Sequence, residues 1–308
     1  MGNTKKTGSI IFIALILFSS AKVLFSAPDS SRVGISALLD WEKGELEAIT
    51  ALDIAAAGIR FPSGRSQAEE ILKEEYIGLL RPLLLSIQAD SSSTIEDLVQ
   101  RGDMTLKDLD AVGLGAKMVP PNFSADLTRF TGRYSVALSR LSASLIRHRQ
   151  AGVLSAPLIP SPSANYTGII IIADHSLPVH GRNASAMVQP CLFPKIWDTD
   201  MNLIYERNIT NPSLTGSGEI PVVRYARSEA IFRPTPSGLD ENLIKAVGER
   251  PLRIIARSVF GICPTDPVID KADAQLILST ENNRRLLQEG KVVMVIHESA
   301  LKGSLGNG

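Results

Sequence analysis

The chain has 308 residues, 44% hydrophobic and 21% charged, with 32 basic and 32 acidic side chains and so no net charge. That length allows one large domain or two of ordinary size, and the even balance lacks the basic field of a nucleic-acid binder. Aromatic residues reach only 5%, so a core must be built mainly from Leu, Ile, Val and Ala.

Residues 1–27 have the layout of a secretory signal peptide or N-terminal anchor. Lys5 and Lys6 precede the apolar run 10–18, and Ser19-Ser20-Ala21 supplies the small residues that a signal peptidase reads. Lys22 interrupts the apolar stretch, which disfavours a stable membrane span. The expectation is export to the periplasm. The alternative is an uncleaved inner-membrane anchor facing the periplasm, the only membrane attachment expected, because no Cys lies near the site to carry a lipid.

An α+β domain is predicted over residues 33–150. Residues 36–59 are broken at Lys43-Gly44, as in a strand pair or a strand entering a helix. Ala68, Leu72, Tyr76, Leu79 and Leu83 recur at offsets of three and four, marking one face of a helix that Pro82 should end or kink. Thr94-Ile95-Glu96-Asp97 and Thr105-Leu106-Lys107-Asp108 each open a capped short helix. Residues 127–148 predict a hairpin of two long strands turning at Gly132-Arg133.

Residues 151–165 read as a linker, since 155–165 carry three prolines and three serines. A second α+β domain then spans 166–298. It opens with the strand 168–173, and 195–197 and 203–205 are strands on either side of Asp198-Thr199-Asp200-Met201-Asn202. Residues 211–237, rich in Pro, Ser and Gly, suggest a long surface excursion. A strand over 252–260, helices over 272–278 and 282–288, Gly290 as a C-cap and a buried strand over 291–296 complete the pattern. The fold class is therefore α+β: two mixed regions with antiparallel strands and short helices after an N-terminal signal segment.

Four constellations invite a chemical reading. Asp198, Asp200 and Asn202 have the spacing of the first three ligands of a calcium loop. The sixth and twelfth positions are Leu203 and Ile209, where Gly and a bidentate Glu are needed. A hairpin tip accounts for them better. Asp174, His175, His180 and Cys191 offer zinc-type ligands, at a spacing that matches no standard signature. Ser176 with His180 and some Asp would make a triad that nothing selects, since no G-x-S-x-G elbow occurs. No phosphate-loop or dinucleotide fingerprint is present. His148, His297, Arg224, Arg227 and Arg233 read as solvated positions. No residue is thus assigned a catalytic, cofactor-binding or metal role, and no cofactor is expected. Cys191 and Cys263 would close a disulfide loop worth on the order of 4 kcal/mol in an oxidising compartment, or would stay small buried hydrophobes.

Two stretches carry a resemblance. Tyr166-Thr167-Gly168, Pro194-Lys195-Ile196, Asp198 and Tyr205 fall in one ordered pattern, and Thr265-Asp266, Val268-Ile269, Asp273-Ala274 and residues 291–296 in another. Over most of 165–297 the chain resembles bacterial envelope proteins related to the flagellar lipoprotein FlgP and the LPP-twenty-type lipoproteins. It departs from them in lacking the lipobox Cys and in having His175-Ser176 where they have Ala-Arg. The resemblance implies an exported, non-catalytic protein with a structural or assembly role and protein partners in the envelope, the flagellar motor or further copies of itself among them. The rival is a periplasmic metal-dependent or hydrolytic enzyme centred on Asp174, His175 and His180.

Overall fold

The computed structural model describes residues 32–60 and 64–306, so the targeting segment expected over 1–27 lies outside the described residues. The chain from Arg32 onward forms one compact unit.

β1 (Val33–Asp40) and β2 (Glu45–Asp53) bury every second side chain, the habit of a sheet with one wet face. They pair antiparallel from Val33 opposite Leu52 to Asp40 opposite Glu45, and Gly44 closes their turn at φ +69°. The strand pair, rather than the strand-to-helix alternative, is what forms. α1 (Gly64–Leu85) buries Ala68, Leu72, Tyr76, Leu80 and Leu83 along one face. It continues one turn past Pro82, because Leu83 and Leu84 are buried in the core and hold the last turn in place. β3 (Gln88–Asp90) and β4 (Ser93–Thr94) form a short hairpin, followed by α2 (Ile95–Gln100) and α3 (Leu106–Leu114). Both helices begin with a capping box: Thr94 pairs reciprocally with Asp97, and Thr105 with Asp108.

The hairpin predicted over 127–148 is displaced. Its strands are β5 (Lys117–Phe123) and β6 (Arg129–Ala137), and the turn falls near Leu127, at φ +57°. β6 runs straight through Gly132-Arg133. A Cβ on Gly132 would lie 3.1 Å from the ring of Tyr134, which stacks on Tyr76 of α1 at 3.7 Å. The glycine answers a packing need, not a turn. Residues expected as the second strand form α4 (Leu138–Leu145), which buries Leu138, Leu141 and Leu145 at helical spacing.

Extended chain over 146–168 leads to β7 (Ile169–Ala173), and Asn283 ties the end of this segment down. Its amide donates to Ser163 Oγ and to the Ala164 and Leu276 carbonyls, while its Oδ1 accepts from Tyr166 N. Next come β8 (Leu177–Pro178) and β9 (Ser185–Ala186), then the hairpin of β10 (Ile196–Asp198) and β11 (Leu203–Tyr205). α5 (Pro212–Thr215), β12 (Arg224–Ala226), α6 (Glu241–Val247) and β13 (Leu252–Ile255) follow. The strand predicted over 252–260 divides after Ile255: β14 (Ser258–Phe260) joins a different sheet and pairs with β15 (Asp266–Ile269). α7 (Lys271–Leu278), α8 (Glu281–Gln288), β16 (Val292–Ile296), α9 (Glu298–Leu301) and β17 (Lys302–Gly306) end the described chain.

The α+β class holds, with a topology the sequence pattern did not specify. One sheet, ordered β17-β1-β2-β6-β5, is antiparallel; a second, β12-β16-β7-β13, is entirely parallel. The apolar runs of β7 and β16 suit that place, since a parallel strand is covered on both faces. Ile169, Ile171, Met294 and Ile296 enter the main core, while Ile170, Val293 and Val295 meet α6 on the other face. The regions on either side of the segment expected as a linker, 151–165, share one core. The main core contains Trp41 and Leu138 together with Ile171 and Tyr225, and the last strand, β17, returns to pair with the first, Ala37 opposite Leu305. Residues 211–237 are likewise no surface excursion. Val222, Val223, Tyr225, Ala226, Ala230 and Ile231 are buried, because the segment supplies the edge strand of the parallel sheet.

Candidate functional site

The predicted zinc candidates do not converge. Asp174 follows β7 and accepts hydrogen bonds from Ser228 Oγ and, at 3.2 Å, from His175 Nδ1. Partial burial pushes the Asp174 carboxyl up, but these two hydrogen bonds outweigh it and hold the pKa below the usual value. Asp174 therefore sits between Ser228 and His175, whereas a hydrolytic triad needs the imidazole next to the hydroxyl. His180 packs edge-on to Phe260 with ring centroids 6.2 Å apart. Cys191 is buried elsewhere, its backbone N–H donating to the Tyr225 hydroxyl at 3.0 Å and its carbonyl accepting from that hydroxyl at 2.8 Å. No group of three His, Cys, Asp or Glu residues able to hold a metal occurs among the described residues.

Cys191 and Cys263 are free thiols, so the disulfide considered for them is not formed. Burial, with Asp266 close by, raises both pKa values, which keeps them in the unreactive thiol form. The calcium-like triplet forms a tight turn. Asp198 Oδ1 accepts from the backbone N–H groups of Asp200 and Asn202 at 2.9 and 2.8 Å, and Oδ2 from the Asn202 side chain. Met201 at φ +61° completes it. The oxygens that a cation would need are spent on the chain itself. His148 bonds the Thr210 carbonyl at 2.8 Å, and His297 caps α9 through Ser299.

A cleft of about 870 Å³ lies between the β1–β2 turn, the start of α4, the strand β12 and α6. Its walls are fixed by contacts between the two halves of the chain. Trp41 in the turn packs edge-on to Tyr225 of β12 at 5.7 Å, Glu42 pairs with Arg227 at 3.0 Å, and Ser139 of α4 donates to the Gly218 carbonyl at 2.6 Å. Most of its charges are engaged. The buried Asp40 accepts from Lys43 N at 3.0 Å and faces Lys302 at 3.6 Å; Asp240 caps α6 through Leu243 N.

Arg224 is among the exceptions. Its guanidinium lines the cleft, open to solvent at the mouth, and makes no hydrogen bond or ion pair with any described residue. Burial by the walls lowers its pKa and no acidic neighbour offsets that. Lys245 of α6, Glu45 and Glu219 also line the cleft without a side-chain hydrogen bond or ion pair among the described residues. β12 is the end strand of its sheet. Apart from the ladder to β16, no described hydrogen bond reaches the backbone of residues 223–226. In the sequence Arg224 reads as an ordinary solvated charge. Its flanks, Val222-Val223 and Tyr225-Ala226, were the available sign that it belongs to a buried strand.

Residues 32–144 match the family model of the N-terminal domain of Treponema pallidum Tp0624, and residues 168–298 match that of its second domain. Together the two matches take in most of the chain, in the same order, and they end and resume around the extended segment that joins α4 to β7. No curated protein matches the chain.

Proposed function

We propose that this chain, similar over two successive regions to the first and second domains of Tp0624, is an exported, non-catalytic protein of the cell envelope that acts by binding other proteins. The observation that carries the binding role is the cleft along β12, where a sheet edge and an unpaired arginine lie side by side. An unpaired edge accepts a further strand. The basic, apolar and small-residue order of residues 1–27 supports export, and the motifs over 165–297 support a structural or assembly role, with the flagellar motor as one setting. Fractionation of cells followed by in-cell crosslinking tests this reading. The protein should be recovered from the periplasm or envelope, crosslinked at fixed stoichiometry to a small set of envelope proteins. Recovery from the cytoplasm would overturn it.

A second reading has one observation in its favour. Asp174, Ser228 and His175 meet at the carboxyl ends of β7 and β12, the end of a parallel sheet where ligands usually bind. A hydrolytic or metal-dependent site there predicts stoichiometric zinc in the purified protein, lost when His175 and His180 are replaced. Folded protein without zinc would count against it.

A further inference from the structure

We propose that the cleft takes an extended peptide segment bearing one carboxylate, which pairs with the free edge of β12 and seats its acid on Arg224. The inference rests on the protein-binding reading above and names the ligand. Three observations carry it. The edge of β12 facing away from β16 has backbone groups with no described partner, and an added strand satisfies such groups along its whole length. Arg224 is a planar, permanently charged donor held unpaired beside that edge, and a carboxylate is the group that engages a guanidinium with two parallel hydrogen bonds. Lys245 offers a second cation on the opposite wall, and Trp41, Val223 and Leu243 give apolar surface between them.

The acidic side chains of the same cleft narrow the ligand further. Glu42, Asp40 and Asp240 are committed to Arg227, Lys302 and the α6 cap, but Glu45 and Glu219 are not. They would repel a polyanion such as a nucleic acid, while a chain with a single acid can keep its charge at the Arg224 end. A small free carboxylate fits the guanidinium but leaves the strand edge unpaired, so the peptide is the better occupant.

The test is selection of a phage-displayed random heptapeptide library on the purified full chain, with synthetic copies of the selected peptides measured by calorimetry. Selected sequences should be enriched in one Asp or Glu. Arg224→Glu should weaken them roughly thirtyfold or more, the usual consequence of removing one partner of a desolvated charge pair. Arg133→Glu, the same change on the exposed face of β6, should leave them unchanged. N-methylation of alternate peptide amides should abolish binding if the peptide pairs as a strand. Should Arg224→Glu fail to fold, as judged by its circular dichroism, Arg224→Gln takes its place. The proposal is overturned if no acidic preference emerges, if the Arg224 variant binds equally well, or if free glutarate binds as tightly as the peptide. Envelope crosslinks that persist in the Arg224 variant would sink this inference and leave the broader reading standing.

Discussion

In β1, β2 and β6 of the antiparallel sheet side chains alternate between core and water, whereas β7 and β16, the central strands of the parallel sheet, are covered on both faces by the main core and by α6. The same residue type therefore carries different weight in each. Ile49 on β2 is 41% exposed, while Ile171 on β7 is fully buried. The difference teaches where this chain tolerates change. Its first region can vary one face freely, whereas the central strands of its second cannot; in the parallel sheet that freedom is left to the outer strands, β13 with its exposed Arg253 and Ile255 and β12 where the cleft opens.

The largest effect should follow from Ile171→Ala, which cuts a cavity into the centre of the parallel sheet. A cost of about 2–5 kcal/mol is expected in urea unfolding, and a cost below 1 kcal/mol would mean the sheet is not packed on both sides. Asp198→Ala should cost about 1–3 kcal/mol, because it strands two turn N–H groups and the Asn202 amide near buried chain; calcium should not rescue the loss. Thr105→Ala removes the α3 cap and should cost about 1 kcal/mol.

Asp266→Asn tests the core around β15 through pH. Burial raises the Asp266 pKa above the ordinary 3.8, against opposing hydrogen bonds from Thr265 and Lys195 N. The folded state thus holds this proton more tightly than the unfolded chain. Its contribution to stability is fully present below pH ~4 and is lost as pH rises through the folded pKa. The Asn variant should therefore melt at or above the wild type at neutral pH, and the wild type should regain ground as the pH is lowered to 4. A variant less stable at pH 7 than at pH 4, relative to wild type, would contradict this. The smallest effect should be Ile49→Ala on the wet face, within about 0.5 kcal/mol of wild type. A large loss there would mean that this face is covered.

What could be read in advance followed local rules. The capping boxes at Thr94 and Thr105 were visible because a cap is decided within four residues. So was the Asp198 turn, since Leu203 and Ile209 removed the calcium alternative within the same stretch. Gly132-Arg133 misled because a glycine required by the Tyr134 ring looks the same, in sequence, as one required by a turn. Residues 211–237 misled for a related reason: their Pro and Gly content is that of a loop, and only the two apolar pairs around Arg224 marked the three residues that join a sheet. The cleft was invisible because its walls come from residues about 40, 140, 225 and 245, which no local pattern connects.

By itself the sequence determined the α+β class, most helices, the buried character of β7 and β16 and the balance of charge, since each depends on periodicity or composition over a few residues. Only the tertiary structure decided the parallel order β12-β16-β7-β13, the return of β17 to β1 and the shared core that joins both halves. Strand order is set by which apolar faces find one another across long stretches of chain, and the position of Arg224 beside an open sheet edge is a consequence of that order.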